Sequence, residues 1–445
     1  MIQPIAFSAC ARLERRLSLV AAVLLMAAAA RAGATTFVVT KTADTNDGVC
    51  NATNCSLRDA IIAANTNPGP DVITLPAGTY LLTIPGAPED QAATGDLDIL
   101  DDLTINGAGA ATTIVDGGAL DRVFQVFDGV TAVFNGITIR NGSGVLSGGG
   151  VWSTGSNLTL NGCVVTGNQS ISQGGGVYAS TVTLTNTTIS NNTAGNLGAG
   201  VYADNLTMAG STVTGNQTPS GSGGGIYVDS DATISGSVIT NNTSGSRGGG
   251  IYVTGGESLQ TVSIADTTIS NNTAFGDGGG EGGGLYIGSI AAVTVSRCTV
   301  SGNRSDFNGG AIASFDTLTL VNSTVNGNTS FAGGGIFSQG TLTLISSTVS
   351  SNSPDGVDNS SPGTTSLAKT IVANNKIGCT GTITDGSSNL QFPGTTCGST
   401  IPSADPLLAA LANNGGPTQT QALLAGSPAL NAAGNCPPPA TDQRG

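Results

Sequence analysis

Along residues 100 to 375 the hydrophobic pattern has a period of two. Short runs such as GVYAS and TVTLTNTTIS carry a β-branched or aliphatic residue at every second position and are broken by Gly or Asn, which is strand and turn chemistry. No helical period occurs in this stretch. The strands recur inside a longer unit. GGGVWSTGSNLTLNGCVVTGNQS (148 to 170), GGGVYASTVTLTNTTISNNTA (174 to 194), GAGVYADNLTMAGSTVTGNQT (198 to 218) and GGGIYVDSDATISGSVITNNTS (223 to 244) align, and further units begin at Gly248, Gly282, Gly309 and Gly333. A closing Asn returns at Asn168, Asn192, Asn216, Asn242, Asn272, Asn303, Asn328 and Asn352, a period of 24 to 26 that stretches to about 30 where loops intrude. A period in this range is the signature of a solenoid.

A lone strand of this kind hides no apolar face, so successive coils must stack at the roughly 4.8 Å spacing of paired strands. Equivalent residues then form columns. Five positions before the closing Asn stand Cys163, Thr187, Ser211, Ser237, Thr267, Cys298, Ser323 and Ser347. Three positions before it stand Val165, Ile189, Val213, Ile239, Ile269, Val300, Val325 and Val349. Small residues in the first column and aliphatic ones in the second fit a narrow interior. The Asn column is expected to bond amide to amide along the axis and to occupy left-handed turn conformations. The Gly triplets serve a corner where Cβ atoms would collide. Parallel crossovers are almost always right-handed. The expected fold is therefore all-β, a single-stranded right-handed parallel β-helix with a short N-terminal capping helix and an irregular C-terminal cap.

The two ends depart from the repeat. Residues 1 to 34 read as a signal peptide: Arg12, Arg15 and Arg16 precede an apolar run from Leu17 to Ala30, and small residues follow at Ala32 and Ala34. The run is shorter than the roughly 20 residues of a spanning helix, so export with cleavage after Ala34 is expected. Residues 35 to 99 form an N-terminal cap, in which Ser56 starts a helix reaching Asn65 with Leu57, Ala60, Ile61 and Ala64 on one face. Residues 100 to 375 hold the repeats. Residues 376 to 445 form a Pro-punctuated C-terminal cap in which part of 404 to 412 reads as helical.

CSLRDAI at Cys55 to Ile61, with FVVTKTADTNDG upstream, resembles the CSLREA motif of bacterial exported proteins, departing from it at Asp59. Asp405 to Gly434 is similar to the choice-of-anchor Q region, and units such as that at Gly309 are similar to repeats of polymorphic outer-membrane proteins. These resemblances imply location and architecture, a secreted or outer cell-surface β-helix, and carry no catalytic residues. In the resembling family the chain usually runs on past an Asp-Gln-Arg-Gly stretch. The expectation here, at Asp442 to Gly445, is a shortened form of a longer product or a form released into the medium.

Composition narrows the chemistry. Of 445 residues 67 are Gly, 9% are charged and none is His, with a formal net charge of -14, which makes nucleic acid and anionic lipid poor partners. Asp229 and Asp231, at spacing two, can share a face as a carboxylate pair; Arg247 and Arg304 are the candidates for a lyase base. Asp277 and Glu281 sit in a Gly-rich loop that invites calcium only weakly. Asp96, Asp98, Asp101 and Asp102 read as an acidic outer strand face, because Leu97 and Ile99 alternate with them. Trp152, Tyr178, Tyr202, Tyr227, Tyr252 and Tyr286 follow the Gly triplets at one fixed position. Facing outward they can meet sugar rings, facing inward they fill core, and alternation alone leaves both open. Cys50 with Cys55 and Cys379 with Cys397 are expected disulfides of an oxidising compartment. Cys163 and Cys298 lie too many coils apart to meet, and Cys436 has no evident mate. Zinc is a poor reading without His or a close Cys quartet.

The function expected from these residues is a non-enzymatic structural or adhesin-like stalk, monomeric, without cofactor or catalytic residue and without a membrane span in the mature chain. Its partner is an extracellular glycan or a host or neighbouring cell surface. The alternatives are a carbohydrate-active lyase or hydrolase and a passenger that binds glycans without cleaving them.

Overall fold

The computed structural model describes residues 33–445, apart from 87–88, 144, 256–258, 277–278, 360–361 and 435–438. The signal-peptide reading, together with Glu257, Asp277 and Cys436, falls outside the described residues. Among these residues one helix, α1 (Leu57–Thr66), accompanies strands that form sheets of 23, 13 and seven members and one two-stranded hairpin.

Outside the hairpin every strand pair is parallel. The coils contribute one long or two shorter strands to the largest sheet and one to the 13-stranded sheet, and seven of them, from Val145–Ser147 to Arg304–Ser305, add a short one to the seven-stranded sheet. Thus Val151–Asn161 pairs with Val177–Thr185, Val164–Thr166 with Thr188–Ser190, and Gln169–Gln173 with Thr193–Ala194. Parallel pairing begins at Thr36–Val38 and continues to Leu390–Phe392. The fold is a right-handed parallel β-helix, and its interior is one continuous apolar core from Val39 to Ile401.

Three interior columns explain why the repeat reads as it does. Val165, Ile189, Val213, Ile239, Ile269, Val300, Val325 and Val349 are fully buried in register. The closing Asn residues form an amide ladder: Asn168 Nδ2 donates to Asn192 Oδ1 at 3.0 Å, and the same bond repeats coil by coil to Asn352 and on to Asn375. Each amide also donates to a carbonyl of the preceding coil, as Asn192 does to Val165 at 3.0 Å, so its polar atoms are satisfied in the interior. The left-handed conformation expected of these Asn residues belongs instead to the residue before them: Asn191, Asn241 and Asn271 have φ between 54° and 57°. The closing Asn must point inward, and only its predecessor makes the turn.

The column five positions before the Asn is more than small. Thr187 N–H donates to Ser211 Oγ at 3.0 Å and Ser211 N–H to Ser237 Oγ at 3.2 Å, and the pattern resumes from Cys298 to Ser323 and Ser347. It is a hydroxyl ladder satisfying backbone amides. At the Gly corner, a Cβ on Gly175 would lie 2.3 Å from Thr193 O, and one on Gly176 would lie 2.7 Å from Gly200 O.

The CSLRDAI residues each hold part of the N-terminal cap. Cys55 bonds Cys50. Ser56 caps α1, accepting from Asp59 N–H at 3.0 Å, and Asp59 accepts from Asp47 N–H and Gly48 N–H. Arg58 is fully buried and uses all five N–H groups, on both Asp44 oxygens and on the carbonyls of Ala92, Gly95 and Asp96.

The C-terminal segment is a strap. Leu408–Ala412 pairs antiparallel with Thr420–Leu423, so the helical reading of 404 to 412 is corrected: hairpin pairing and docking override the Leu/Ala composition. The strap returns over the 13-stranded sheet, where Thr418 donates to Arg297 O and Asn322 to Thr441 O. Gln443 is held by Thr324, Cys298 O and Thr299. Cys379 and Cys397 form the second disulfide, and Cys163 and Cys298 are buried thiols. No helix among the described residues is long and apolar enough to cross a membrane.

Candidate functional site: an outward aromatic strip

In four successive coils the strand after the Gly triplet has the form Val-Tyr-Ala or Ile-Tyr-Val, and Val151-Trp152-Ser153 and Leu285-Tyr286-Ile287 take the same place in the coils on either side. Its flanking aliphatic residues, such as Val177 and Ala179, are fully buried, so alternation sends the aromatic residue outward. Strand register then makes one outer column: Asp98, Gln125, Trp152, Tyr178, Tyr202, Tyr227, Tyr252, Tyr286, Ala313 and Phe337. The question left open by the sequence is answered, since the aromatic rings lie outside the solenoid.

Strand spacing imposes the ring spacing. From Tyr178 to Tyr286 successive centroids are 4.7 to 4.9 Å apart and the planes lie within 10° of parallel. Inner rings therefore cover one another's faces: Tyr202 is only 8% exposed. What the middle of the strip offers a ligand is ring edges and hydroxyls. Where Ala313 interrupts the column, Phe315 fills in, 5.3 Å from Tyr286 and 5.9 Å from Phe337.

Polar groups line both sides. Two residues after the rings stand Ser180, Asp204, Asp229 and Thr254. On the other side the Arg247 guanidinium lies 5.2 Å from the Tyr286 centroid and 3.0 Å from Glu281. Burial works against the Arg247 charge, but Tyr286 and Glu281 outweigh it and raise its pKa. Burial, with Asp229 next, pushes the Tyr202 phenol well above its ordinary range, and burial with Tyr252 and Asp229 does the same at Tyr227; Tyr286 is pushed up to about 12. These phenols stay neutral and able to donate at neutral pH. Burial and then Asp229 also raise the Asp204 carboxyl.

At the N-terminal end, Arg122 sits 5.0 Å from the Trp152 ring and 2.9 Å from Asp96. Asp96 and Asp98 are 5% and 0% exposed, which corrects the reading of an acidic outer face. Strand parity does send Asp98 outward, but segment 89–95 roofs that side, with Ala92 N–H donating to Asp98 Oδ2 at 2.7 Å. Burial, reinforced by Asp98, raises Asp96 to about 8; burial also raises Asp98 to about 7, with Glu89 and Asp90 adding and Ala92 and Arg122 opposing.

A carboxyl raised in the folded state binds protons that the unfolded chain has released. This pair's contribution is therefore complete below about pH 4 and is lost as pH rises toward about 8. Replacing Asp98 with Asn is expected to leave stability at about pH 3 nearly unchanged and to raise it at about pH 9 by roughly 1–3 kcal/mol. Denaturant titrations at both pH values check this; parallel pH slopes for the two proteins would contradict it.

The other sequence candidates separate. Asp229 and Asp231 do not share a strand face: the strand ends at Val228 and the chain turns at Ser230, so Asp229 flanks the tyrosines while Asp231 accepts from Thr261 N–H at 2.8 Å. Glu281 gives one oxygen to Arg247 and the other to Asn308. Arg304 belongs to the seven-stranded sheet and pairs with Asp306 at 3.1 Å. No group of three or more His, Cys, Asp or Glu suited to a metal occurs among the described residues. Asp101 and Asp102 bind backbone amides at Gly69 and Thr131. Sequence reasoning missed Arg122 and Gln125; Asp204 was legible as one of the few acidic residues of the repeats, and it shares with Asp229 the position two residues after the ring. A concavity of about 900 Å³ lies between the strap and the 13-stranded sheet, walled by Ile371, Leu390, Leu408 and Leu423.

The chain matches the family described as "Right handed beta helix region" over residues 203–377. No curated protein sequence matches it. Among solved structures it is similar to pectate lyase Pel9A, at 17% identity over 89% of this chain and 90% of that one, with a TM-score of 0.39. It is also similar to the catalytic unit of a thermostable GH87 alpha-1,3-glucanase from Streptomyces thermodiastaticus, at 17% identity, covering 78% of this chain and 64% of that one, TM-score 0.43. The Azotobacter vinelandii mannuronan C-5 epimerase AlgE6 A-module shows 14% identity over 76% of this chain and 96% of that one, TM-score 0.45. Likeness at these levels concerns the winding of the chain alone.

Proposed function

We propose that this is an exported, cell-surface or secreted β-helix protein that binds an extended glycan along its aromatic strip, as an adhesin-like stalk. Organised by the end motifs, residues 1–34 serve export, 35–99 and 376–445 close the solenoid and 100–375 present the ligand face. The observation that carries this reading is the unbroken outward column from Trp152 to Tyr286 with its polar flanks. A row of neutral hydroxyl donors repeating every 4.7 to 4.9 Å matches a ligand that itself repeats, and an extended hexopyranose chain repeats at a similar rise. Binding without cleavage is favoured by Arg247, whose guanidinium is held charged by Glu281 and is a poor proton acceptor.

Hydrolysis is the second reading, and one observation favours it. Asp204 and Asp229 stand at the same position of adjacent coils, and burial with Asp229 beside it raises the Asp204 carboxyl, as a general acid of glycoside hydrolysis requires.

Titration with neutral β-linked hexasaccharides tests both. The wild type is expected to bind without generating reducing ends. A Tyr202→Phe, Tyr227→Phe, Tyr252→Phe variant keeps the ring stack but loses three hydroxyls and is expected to bind at least about tenfold more weakly. Equal affinity would count against the strip. New reducing ends that vanish on Asp204→Asn would establish hydrolysis.

A further inference from the structure

The two carboxyls under the roof at the N-terminal end are held in an unusual way. Asp98 Oδ2 accepts from Ala92 N–H on the roof, but Asp98 Oδ1 and Asp96 Oδ2 are buried without a hydrogen-bond partner. Arg122 Nε lies 2.9 Å from Asp96 Oδ2 without the alignment of a hydrogen bond. A carboxylate oxygen enclosed in this way lacks both water and a donor, so the group keeps its proton instead of its charge.

The groups that face the pair are mostly acidic. Burial acts first on both carboxyls; after it, Asp98 and then Asp121 push Asp96 up, and Glu89 and Asp90 push Asp98 up, with Arg122 opposing on both and the Ala92 N–H on Asp98. Glu89 and Asp90 belong to the roof itself. Asp121, in the next coil, also faces the roof, since a Cβ on Gly95 would lie 2.9 Å from its Oδ2. From the N-terminal cap, Arg58 reaches the Asp96 carbonyl, but its charge is matched by Asp44. The neutral Asn65 of α1 donates to the Asp98 carbonyl. Ionisation of the pair therefore sets like charge against like on both sides of the roof.

The roof is also the cover that yields most easily. Single bonds hold it: Ala92 N–H to Asp98, Arg58 to the carbonyls of Ala92 and Gly95, Asn46 Nδ2 to Ala93 O, and Gly95 N–H to Ile84 O. Beneath it, Leu97–Ile99 is locked by parallel pairing to Phe124–Val126. Local opening draws on the segments with the fewest such ties.

We propose that segment 89–95 is a pH-sensitive lid, closed over Asp96 and Asp98 while both carry protons and lifted when they ionise. Lifting uncovers Asp98 at the head of the outer column that runs through Gln125 to Trp152. The closed form holds protons that the open form has already released. Its advantage is therefore complete below about pH 4, falls as pH rises, and is exhausted above about pH 8, where the closed form has lost them too. The lid does not depend on the glycan reading.

The test is hydrogen–deuterium exchange of the full chain across this range, with the rate at each pH divided by the intrinsic one. Protection of 89–95 should fall at least about tenfold from about pH 5 to about pH 8 and level off above that, while strand Val177–Thr185 keeps its protection. In the Asp96→Asn, Asp98→Asn variant, shown to be folded by its circular dichroism, the roof should stay protected throughout. Should that variant not fold, the wild-type profile decides. Roof protection that is independent of pH, rises with it, or falls in step with the coils overturns the lid. A fall that persists in the folded variant overturns it as well.

Discussion

Replacing Arg58 with Ala is expected to destabilise the N-terminal cap by about 3–5 kcal/mol, the cost of breaking a buried ion pair from one side. All five guanidinium N–H groups are engaged, so the substitution strands the carbonyls of Ala92, Gly95 and Asp96. It also leaves Asp44, whose side chain is 3% exposed, without its cation. Arg58→Lys should recover little, because a point charge cannot reproduce five donors in a fixed fork. The segment these bonds tether, 89–96, roofs Asp98 at the end of the strip. Limited proteolysis should therefore cut the variant within that segment before the coils are attacked. A Lys variant with wild-type melting and proteolysis would show that the fork is not what holds the cap.

The second large effect belongs to the middle of the solenoid. Ile239 is fully buried between Val213 and Ile269, and Ile239→Asp puts a carboxylate where its neighbours above and below are aliphatic. The expected loss is about 4 kcal/mol or more, from desolvation without compensation. Each coil contacts only its neighbours, so the damage should split the cooperative unit and turn one unfolding transition into two. Ile239→Val, which keeps the apolar surface, should cost only about 0.5–1.5 kcal/mol. Unchanged melting of the Asp variant would mean that this strand faces the other way.

The fold was legible because every coil repeats the same contacts: a pattern that satisfies one coil must recur in the next, and the Asn and aliphatic columns could be read from spacing alone. The side taken by the aromatic column was not legible. A strand of the form Val-Tyr-Ala alternates equally well with the ring inside or outside, and the choice depends on which neighbours reach the core. Other misses came from contacts distant in sequence. Asp96 and Asp98 have the parity of an outer face, yet the roof over them comes from a separate excursion of the chain. Arg58 finds its partners 14 residues before it and 34 to 38 after it. Leu408–Ala412 has the composition of a helix and is captured as a strand by its hairpin partner. The strip's flank was partly readable, because Asp204 and Asp229 share one position in the repeat.

The most direct test of the central claim is a hydrogen–deuterium exchange footprint of the full chain with and without a saturating glycan hexamer. The account predicts added protection in the strands that carry Tyr178, Tyr202, Tyr227 and Tyr252, Asp204 included, and in the bend at Asp229, with the 13-stranded sheet and the strap unchanged. Protection confined to the strap and the 13-stranded sheet, or spread evenly over all coils, would contradict it.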